Sequence, residues 1–176
     1  MKRLMSCLLA AVILIPGCGY TTKSALPPRL EKIYVAPFKN SISYTSTVGE
    51  RNVYFPLLEV KIRNAVVDRF LFDGNLKVAS DEKTADLVLK GELVDYQRYA
   101  LRYTDNDDVQ EYRILVVTSL VLYDNQKEEV FWQYGRFAGE ATYFVTGAQA
   151  TSEESAVVRA TEDLARRIVE KTIENW

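Results

Sequence analysis

The chain has 176 residues, no His, two Cys and a formal net charge of −2. The absence of His excludes Ser-His-Asp and Cys-His catalysis and the usual zinc sites, and the slight acidity does not suit nucleic acid, which requires a basic face. The eight glycines form no phosphate-binding loop, and the 11 Tyr favour recognition over catalysis. We therefore expect no enzyme activity, no metal site, no cofactor and no nucleic-acid partner.

The N-terminus has the pattern of a lipoprotein signal peptide. Lys2 and Arg3 give a positive start, an apolar stretch covers residues 8–15, and Gly17 precedes Cys18. The apolar stretch is shorter than the roughly 20 residues that span a bilayer. We expect residues 1–17 to be removed and Cys18 to carry diacylglycerol on its sulfur and an acyl chain, such as palmitate, on its amino group. The alternative is a plain secretory signal with an incidental cysteine.

An acylated Cys18 predicts a membrane-anchored protein. Two or three acyl chains, each contributing about 0.8 kcal/mol per buried methylene, give stable anchoring where one chain is marginal. Gly19 follows the cysteine, whereas Asp at that place tends to retain lipoproteins on the inner membrane of bacteria with two membranes. We therefore expect an outer-membrane lipoprotein, with a tether at 18–29 and a single domain at 30–176.

The domain begins with a strand at residues 30–39, which is followed by a Ser- and Thr-rich loop at 40–52 that we expect to be mobile. A helix is predicted from about residue 55, with Pro56 in its first turn. Its apolar residues recur at helical spacing. They are Leu58, Ile62, Ala65, Val66 and Phe70.

Further strands are predicted at 76–79, 86–103, 109–123 and 130–141, separated by short polar turns. Thr151 and Glu154 form a capping box that opens a final amphipathic helix, predicted to run over 152–175. Long consecutive strands joined by short turns indicate an antiparallel meander. The sequence thus predicts an α+β two-layer sandwich: a largely antiparallel four-stranded sheet with two helices on one face.

Basic side chains recur at even positions of the strand at 86–103, where the odd positions 87–93 are apolar or Gly. Lys90, Arg98 and Arg102 share this pattern, with Tyr96 between them. In a strand without a bulge these four residues form one stripe on the face away from the helices. Arg and Lys suit phosphate groups, which makes the stripe a candidate anion-binding surface. The alternative is that these are solvated strand residues with no ligand.

Several motifs, taken in order, resemble the lipopolysaccharide-assembly lipoprotein family LptE. They are Cys18-Gly19-Tyr20, Leu26-Pro27-Pro28, Ile33-Tyr34-Val35-Ala36-Pro37-Phe38-Lys39-Asn40, Ala85-Asp86-Leu87-Val88-Leu89-Lys90-Gly91, Glu111-Tyr112-Arg113 and Asp163-Leu164-Ala165. The resemblance implies a two-layer sandwich that plugs the lumen of the LptD β-barrel in a 1:1 complex, helps it assemble, and binds lipopolysaccharide without catalysis. It also implies a basic ligand-binding residue before the Glu-Tyr strand, where Arg102 is the nearest match.

Two other readings of the sequence remain open. The first strand, ending in Pro37-Phe38-Lys39-Asn40, is also similar to that of envelope lipoproteins that activate cell-wall synthases or build secretion channels. A glycosidase that uses two carboxylates needs no His, but it requires two acidic groups that converge in a cleft. The short tether favours a function at the level of the membrane over that of a binding module that stands away from it.

Overall fold

The computed structural model describes residues 26–42 and 55–174. The predicted signal peptide at 1–17, Cys18 and most of the predicted loop at 40–52 lie outside the described residues. A short 3-10 turn at Glu82–Thr84 separates β3 from β4. The main elements are β1 (Lys32–Val35), β2 (Lys39–Asn40), α1 (Leu58–Asp73), β3 (Lys77–Val78), β4 (Leu87–Tyr103), β5 (Val109–Asp124), β6 (Glu129–Phe144) and α2 (Glu153–Glu174).

The six strands form one mixed sheet. Its order is β3-β1-β4-β5-β6, and β2 also pairs with β4. The α+β class and the two helices are confirmed, but the prediction of a largely antiparallel four-stranded sheet is wrong. The β4-β5 and β5-β6 pairs are antiparallel, whereas β1 runs parallel to both β3 and β4, and β2 runs parallel to β4. The parallel pairs arise because α1 carries the chain back between β1 and β3.

The predicted first strand is divided into β1 and β2. Pro37 lies between the two segments and has no N–H to donate to a neighbouring strand. Phe38 is buried at this break, and its ring lies so close to Gly91 of β4 that a Cβ at position 91 would be 2.4 Å from it. The break therefore interrupts the pairing with β4 between Val35 and Lys39, and it places a buried aromatic side chain over the sheet.

Both helices cover one face of the sheet and enclose a single hydrophobic core. The inward stripe of α1 is Leu58, Ile62, Val66 and Phe70, as the helical spacing predicted. Ala65, which was also placed in that stripe, is only partly buried. α2 contributes a longer stripe. Its fully buried side chains include Ala156, Ala160, Leu164 and Ile168.

The sheet has two ends, which we call the proximal end and the distal end. The proximal end holds residues 26–32, the end of α1, the start of β4 and the β5–β6 turn. The distal end holds the β4–β5 turn at 104–108 and the start of α2. The described part of the predicted tether, 26–29, lies against the proximal end, because Arg29 forms an ion pair with the fully buried Asp124.

Burial alone would raise the pKa of the Asp124 carboxyl. The ion pair with Arg29, together with backbone N–H donors from Gln126 and Lys127, outweighs burial and lowers that pKa below its ordinary value. Asp124 is therefore held ionised, and its charge fixes both the incoming chain and the β5–β6 turn.

The outer edge of β6 is closed by side chains of α2. Arg159 donates to the carbonyl of Thr142 at 2.9 Å, and Arg167 donates to that of Ala138 at 2.6 Å. Asp163 accepts the N–H of Glu140 at 3.1 Å. These three residues are one helical turn apart, so one face of α2 satisfies alternate backbone groups of an edge strand that could otherwise pair with another chain.

The close approach of α2 to β6 depends on Gly139. A Cβ at this position would lie 2.3 Å from the backbone oxygen of Ala160 and 2.4 Å from the backbone nitrogen of Leu164. We expect Gly139→Ala to push α2 from the sheet and to lower the free energy of unfolding by about 2–3 kcal/mol. Urea denaturation measures this change.

Gly135→Ala is the matched control on the same strand, because a Cβ at Gly135 has no atom within 4 Å. We expect its unfolding curve to coincide with that of the parent. Equal stability of the two variants would contradict the packing described here.

Candidate functional site

The predicted basic stripe on β4 is interrupted by irregularities in strand pairing. The register of β4 against β5 shifts at three places: between Leu93 and Asp95, between Ala100 and Arg102, and between Arg102 and Tyr103. One extra residue in a strand moves every later side chain to the opposite face. The condition that the strand has no bulge therefore fails, and the four candidate residues do not form one stripe.

Tyr96 and Arg98 lie on the face of the sheet that the helices cover. Arg98 pairs in register with Ile114, which is fully buried in the core. The side chains of both residues reach Glu153 in the first turn of α2: the hydroxyl of Tyr96 donates at 2.7 Å and Nη1 of Arg98 at 2.9 Å. Their placement on the face away from the helices was therefore wrong.

Glu153 is the centre of this cluster, because Tyr143 of β6 also donates to it, at 3.1 Å. The guanidinium of Arg98 lies 4.6 Å from the ring centre of Tyr112, whose ring stacks on that of Tyr143 at 5.6 Å. One carboxylate thus ties the start of α2 to β4 and β6, and two rings support the cation that neutralises it.

The two phenols of the cluster are held in their protonated form. Burial, and then the hydrogen bond to Glu153, raises the pKa of Tyr96 well above its ordinary value. Burial, and then the charge of Glu153, raises the pKa of Tyr143 to about 12. Both hydroxyls are therefore hydrogen-bond donors at any physiological pH, and the arrangement is suited to positioning α2 rather than to moving protons.

Lys90 and Arg102 lie on the opposite face, which we call the outer face. It is formed by the β4, β5 and β6 side chains that point away from α1 and α2. Twelve residues of strand separate the two cations, roughly 40 Å at the usual rise. Lys90 forms an ion pair with Glu82 at 2.9 Å. Arg102 is exposed, lies 3.7 Å from Glu111 and covers the ring of Phe144.

Arg113 of β5 is a functional candidate that the sequence reasoning missed. It pairs in register with Tyr99, and its side chain lies on the outer face, 4.0 Å from Glu140. Arg102 pairs with Glu111, two residues before Arg113 on the same face. The signal was present in the motif Glu111-Tyr112-Arg113, which was considered for its family resemblance and not for its facing.

The distal half of the outer face therefore combines two arginines with exposed apolar and aromatic surface. Tyr99, which pairs with Arg113 on this face, is 47% exposed. Leu101, Tyr103 and Val145 are also exposed at this end of the sheet. Guanidinium groups bind phosphate oxygens in pairs, and aromatic and aliphatic side chains contact acyl chains. This combination is suited to an amphiphile that carries phosphate.

The described residues contain no group of three or more Asp, Glu or Cys side chains placed to hold a metal ion. An open groove of about 640 Å³ between α1 and α2 has a largely charged lining, which includes Asp68, Arg69, Arg159, Glu162, Asp163 and Arg166. Cofactor pockets are typically apolar and enclosed, so this groove differs from them in character. No helix in the described part of the chain has the length and apolar character needed to cross a membrane.

The contact between Arg98 and Glu153 can be tested by reversing the charge of Arg98. In Arg98→Glu a second carboxylate would face Glu153 in a half-buried site, and we expect the free energy of unfolding to fall by about 2–4 kcal/mol. Lys90→Glu is the control on the same strand, because Lys90 is largely exposed, and we expect a change below about 1 kcal/mol. Urea denaturation of both variants tests the difference, and equal losses would contradict the assignment.

Comparison with solved structures shows the same fold in other proteins. The "uncharacterized lipoprotein B" of Nitrosomonas europaea is 12% identical, with 84% of each chain covered and a TM-score of 0.56. A hypothetical protein from Chlamydia trachomatis is 11% identical over 81% of this chain and 95% of its own, with a TM-score of 0.52. At these identities the likeness shows the fold alone. No curated protein sequence matches the chain.

A family comparison is more specific. The sequence model of the family described as "LptE: Lipopolysaccharide-assembly" matches residues 30–172, which is nearly the whole domain. The match confirms the resemblance drawn from the ordered motifs, and that family is a non-enzymatic component of lipopolysaccharide transport. The chain therefore belongs to the LptE family of lipopolysaccharide-assembly proteins.

Proposed function

We propose that this protein is an outer-membrane lipoprotein that is anchored through acylated Cys18 and plugs the LptD β-barrel in a 1:1 complex. In this role it helps the barrel assemble and binds lipopolysaccharide on its way to the outer leaflet. The observation that carries the proposal is the family match over residues 30–172.

The dimensions of the sheet support the role of a plug. Strands β4, β5 and β6 have 17, 16 and 16 residues, where strands usually have 3–10. At about 3.3 Å per residue they extend for roughly 50 Å, which exceeds the 40–45 Å of a bilayer with its headgroups. A domain of this length reaches from the periplasmic rim of a barrel to its far side.

The outer face has the polarity that a water-filled lumen requires. Its charges are arranged as ion pairs between strands. Lys39–Glu92 and Arg113–Glu140 join neighbouring strands, and Arg136–Asp95 reaches from β6 across β5 to β4. Such a surface is stable in water and can also form hydrogen bonds with the polar side chains inside a barrel. The exposed Tyr99 and Tyr103 at the distal end add contact area with polar tips, and Leu101 adds apolar area.

Within this proposal, Arg102 and Arg113 bind the phosphates of lipopolysaccharide. Both are accessible on the outer face, and both have only a loose carboxylate partner. Lys90 is accessible too, but it lies at the opposite end of β4. Tyr96 and Arg98 were candidates for the same site, and we now assign them to positioning α2, because Glu153 occupies both side chains.

The partnership is tested by purifying the affinity-tagged full-length lipoprotein from outer membranes in mild detergent. We expect a large β-barrel protein to elute with it at equal stoichiometry, since the long sheet would be enclosed by that barrel. Recovery of the lipoprotein alone would contradict the plug. Co-elution with a cell-wall synthase or a secretion channel would instead support the alternative, a binding module of another envelope machine.

The ligand site is tested by charge reversal at Arg102 and Arg113 together. We expect Arg102→Glu/Arg113→Glu to weaken binding of purified lipopolysaccharide by about tenfold or more, because two phosphate contacts become repulsive. Isothermal titration with the tagged mature protein measures this loss. Lys61→Glu/Lys83→Glu, at two exposed positions outside the outer face, is the control with the same change in net charge and should leave affinity within about twofold. Equal loss in the two proteins would remove the proposed site.

A further inference from the structure

The two most exposed large apolar side chains in the described part of the protein lie side by side at the end of α1. Leu71 is 62% exposed and Phe72 is 81% exposed. Phe70, the residue before them, is fully buried in the core, so the helix itself is well packed where these two side chains protrude. Two adjacent apolar residues that protrude from a folded domain are typical of a contact with another apolar phase.

Leu71 and Phe72 lie at the proximal end, where the chain enters from the N-terminus. The helix ends at Asp73, Gly74 takes a left-handed conformation, and β3 begins three residues later. β3 pairs with β1 at its first residue, and the N–H of Lys77 donates to the carbonyl of Glu31 at 2.8 Å. The end of α1 and the residues at 26–32 therefore share one end of the domain.

The length of chain between the predicted anchor and the domain is short. Eight residue steps separate Cys18 from Leu26, the first described residue. A chain of that length spans at most about 30 Å when fully extended. An acyl chain on Cys18 would therefore keep the proximal end, and with it Leu71 and Phe72, within reach of the membrane surface.

We propose that Leu71 and Phe72 form a second membrane contact that inserts into the interfacial region of the bilayer holding the anchor. This inference rests on the acylation of Cys18 that the proposed function includes. Arg69 lies beside them, with its guanidinium 5.3 Å from the ring centre of Phe72, where it can bind a lipid phosphate. Asp68 and Asp73 lie nearby on the chain, and Glu162 and Asp163 of α2 line the same groove as Arg69 and Phe72, so a zwitterionic surface suits this end better than a strongly anionic one.

Such a contact would orient the domain. An acyl tether fixes only how far the proximal end can move from the membrane, whereas a side-chain contact fixes which part of that end faces the lipid. With the last turn of α1 at the leaflet that holds the anchor, β4 and β5 would run from the periplasmic rim of the barrel toward its far side. The distal half of the outer face would then be directed into the barrel.

The experiment uses the mature acylated protein with a single thiol introduced as Phe72→Cys. Cys7 lies in the segment expected to be removed and Cys18 would be acylated, so a dye reacts only at residue 72. The labelled protein is incorporated into phosphatidylethanolamine–phosphatidylcholine vesicles with or without brominated acyl chains. We expect brominated lipid to quench an environment-sensitive dye at residue 72 by about half.

Val158→Cys is the matched control, because Val158 is exposed on α2 in the distal half of the domain. We expect quenching there below about one-tenth. Leu71→Cys provides a second reporter if the first labelled variant is unfolded, as judged by circular dichroism. Equal quenching at residues 72 and 158, or none at either reporter of α1, would overturn the proposal.

Mass spectrometry of the same samples separates this inference from the function on which it rests. A protein whose Cys18 lacks lipid would contradict the anchor itself, and with it the proposed membrane attachment. A protein that is acylated but unquenched at residues 71 and 72 would contradict only the second contact.

Discussion

The extra residue in β4 between Leu93 and Asp95 determines how the two layers of this protein are joined. It moves Tyr96 and Arg98 to the helix side of the sheet, where both bind Glu153 at the start of α2. The cation under that carboxylate is in turn supported by the stacked rings of Tyr112 and Tyr143. A strand without the bulge would face Glu153 with the wrong side chains and leave a carboxylate half-buried without a counter-charge, which is costly.

The second register shift, before Arg102, returns Arg102 to the outer face of the sheet. These two register shifts thus place Arg98 in the contact between the layers and leave Arg102 exposed on the outer face.

The sequence was most informative where a pattern is local. The stripe of α1, the final helix and the three long strands were predicted within a few residues, because each repeats its spacing over many positions. The sheet order was not, because β2 and β3 have two residues each and their partners are distant in sequence. An alternating pattern cannot show whether a short strand pairs in a parallel or an antiparallel direction, and it cannot show that α1 serves as a crossover. The bulge was equally hidden, because Leu93 and Val94 are both apolar and either fits the inward face.

The candidate site shows the same limit. Residue type singled out charged side chains but not their roles, since Arg102 is exposed on the outer face whereas Arg98 forms an ion pair with Glu153. Residue type does not show which face of the sheet a side chain occupies, because that depends on every bulge that precedes it in the strand. Arg113 was missed for a related reason: β5 is apolar at positions on both faces, which conceals the fact that its odd positions face outward. A strand covered on one side only would have revealed the facing of Arg113 by alternation.

The ion pairs on the outer face bear on how a transported ligand would be held. Arg102 and Arg113 lie 3.7 and 4.0 Å from Glu111 and Glu140, at exposed positions where such pairs contribute only about 0–1 kcal/mol. An anionic ligand that displaces these carboxylates therefore loses little, and the carboxylates can re-form their pairs when the ligand departs. A deep basic pocket would bind phosphate more tightly and release it more slowly. For a protein that assists transport, a surface of loosely neutralised arginines is the better arrangement, because passage requires that each contact be broken as readily as it forms.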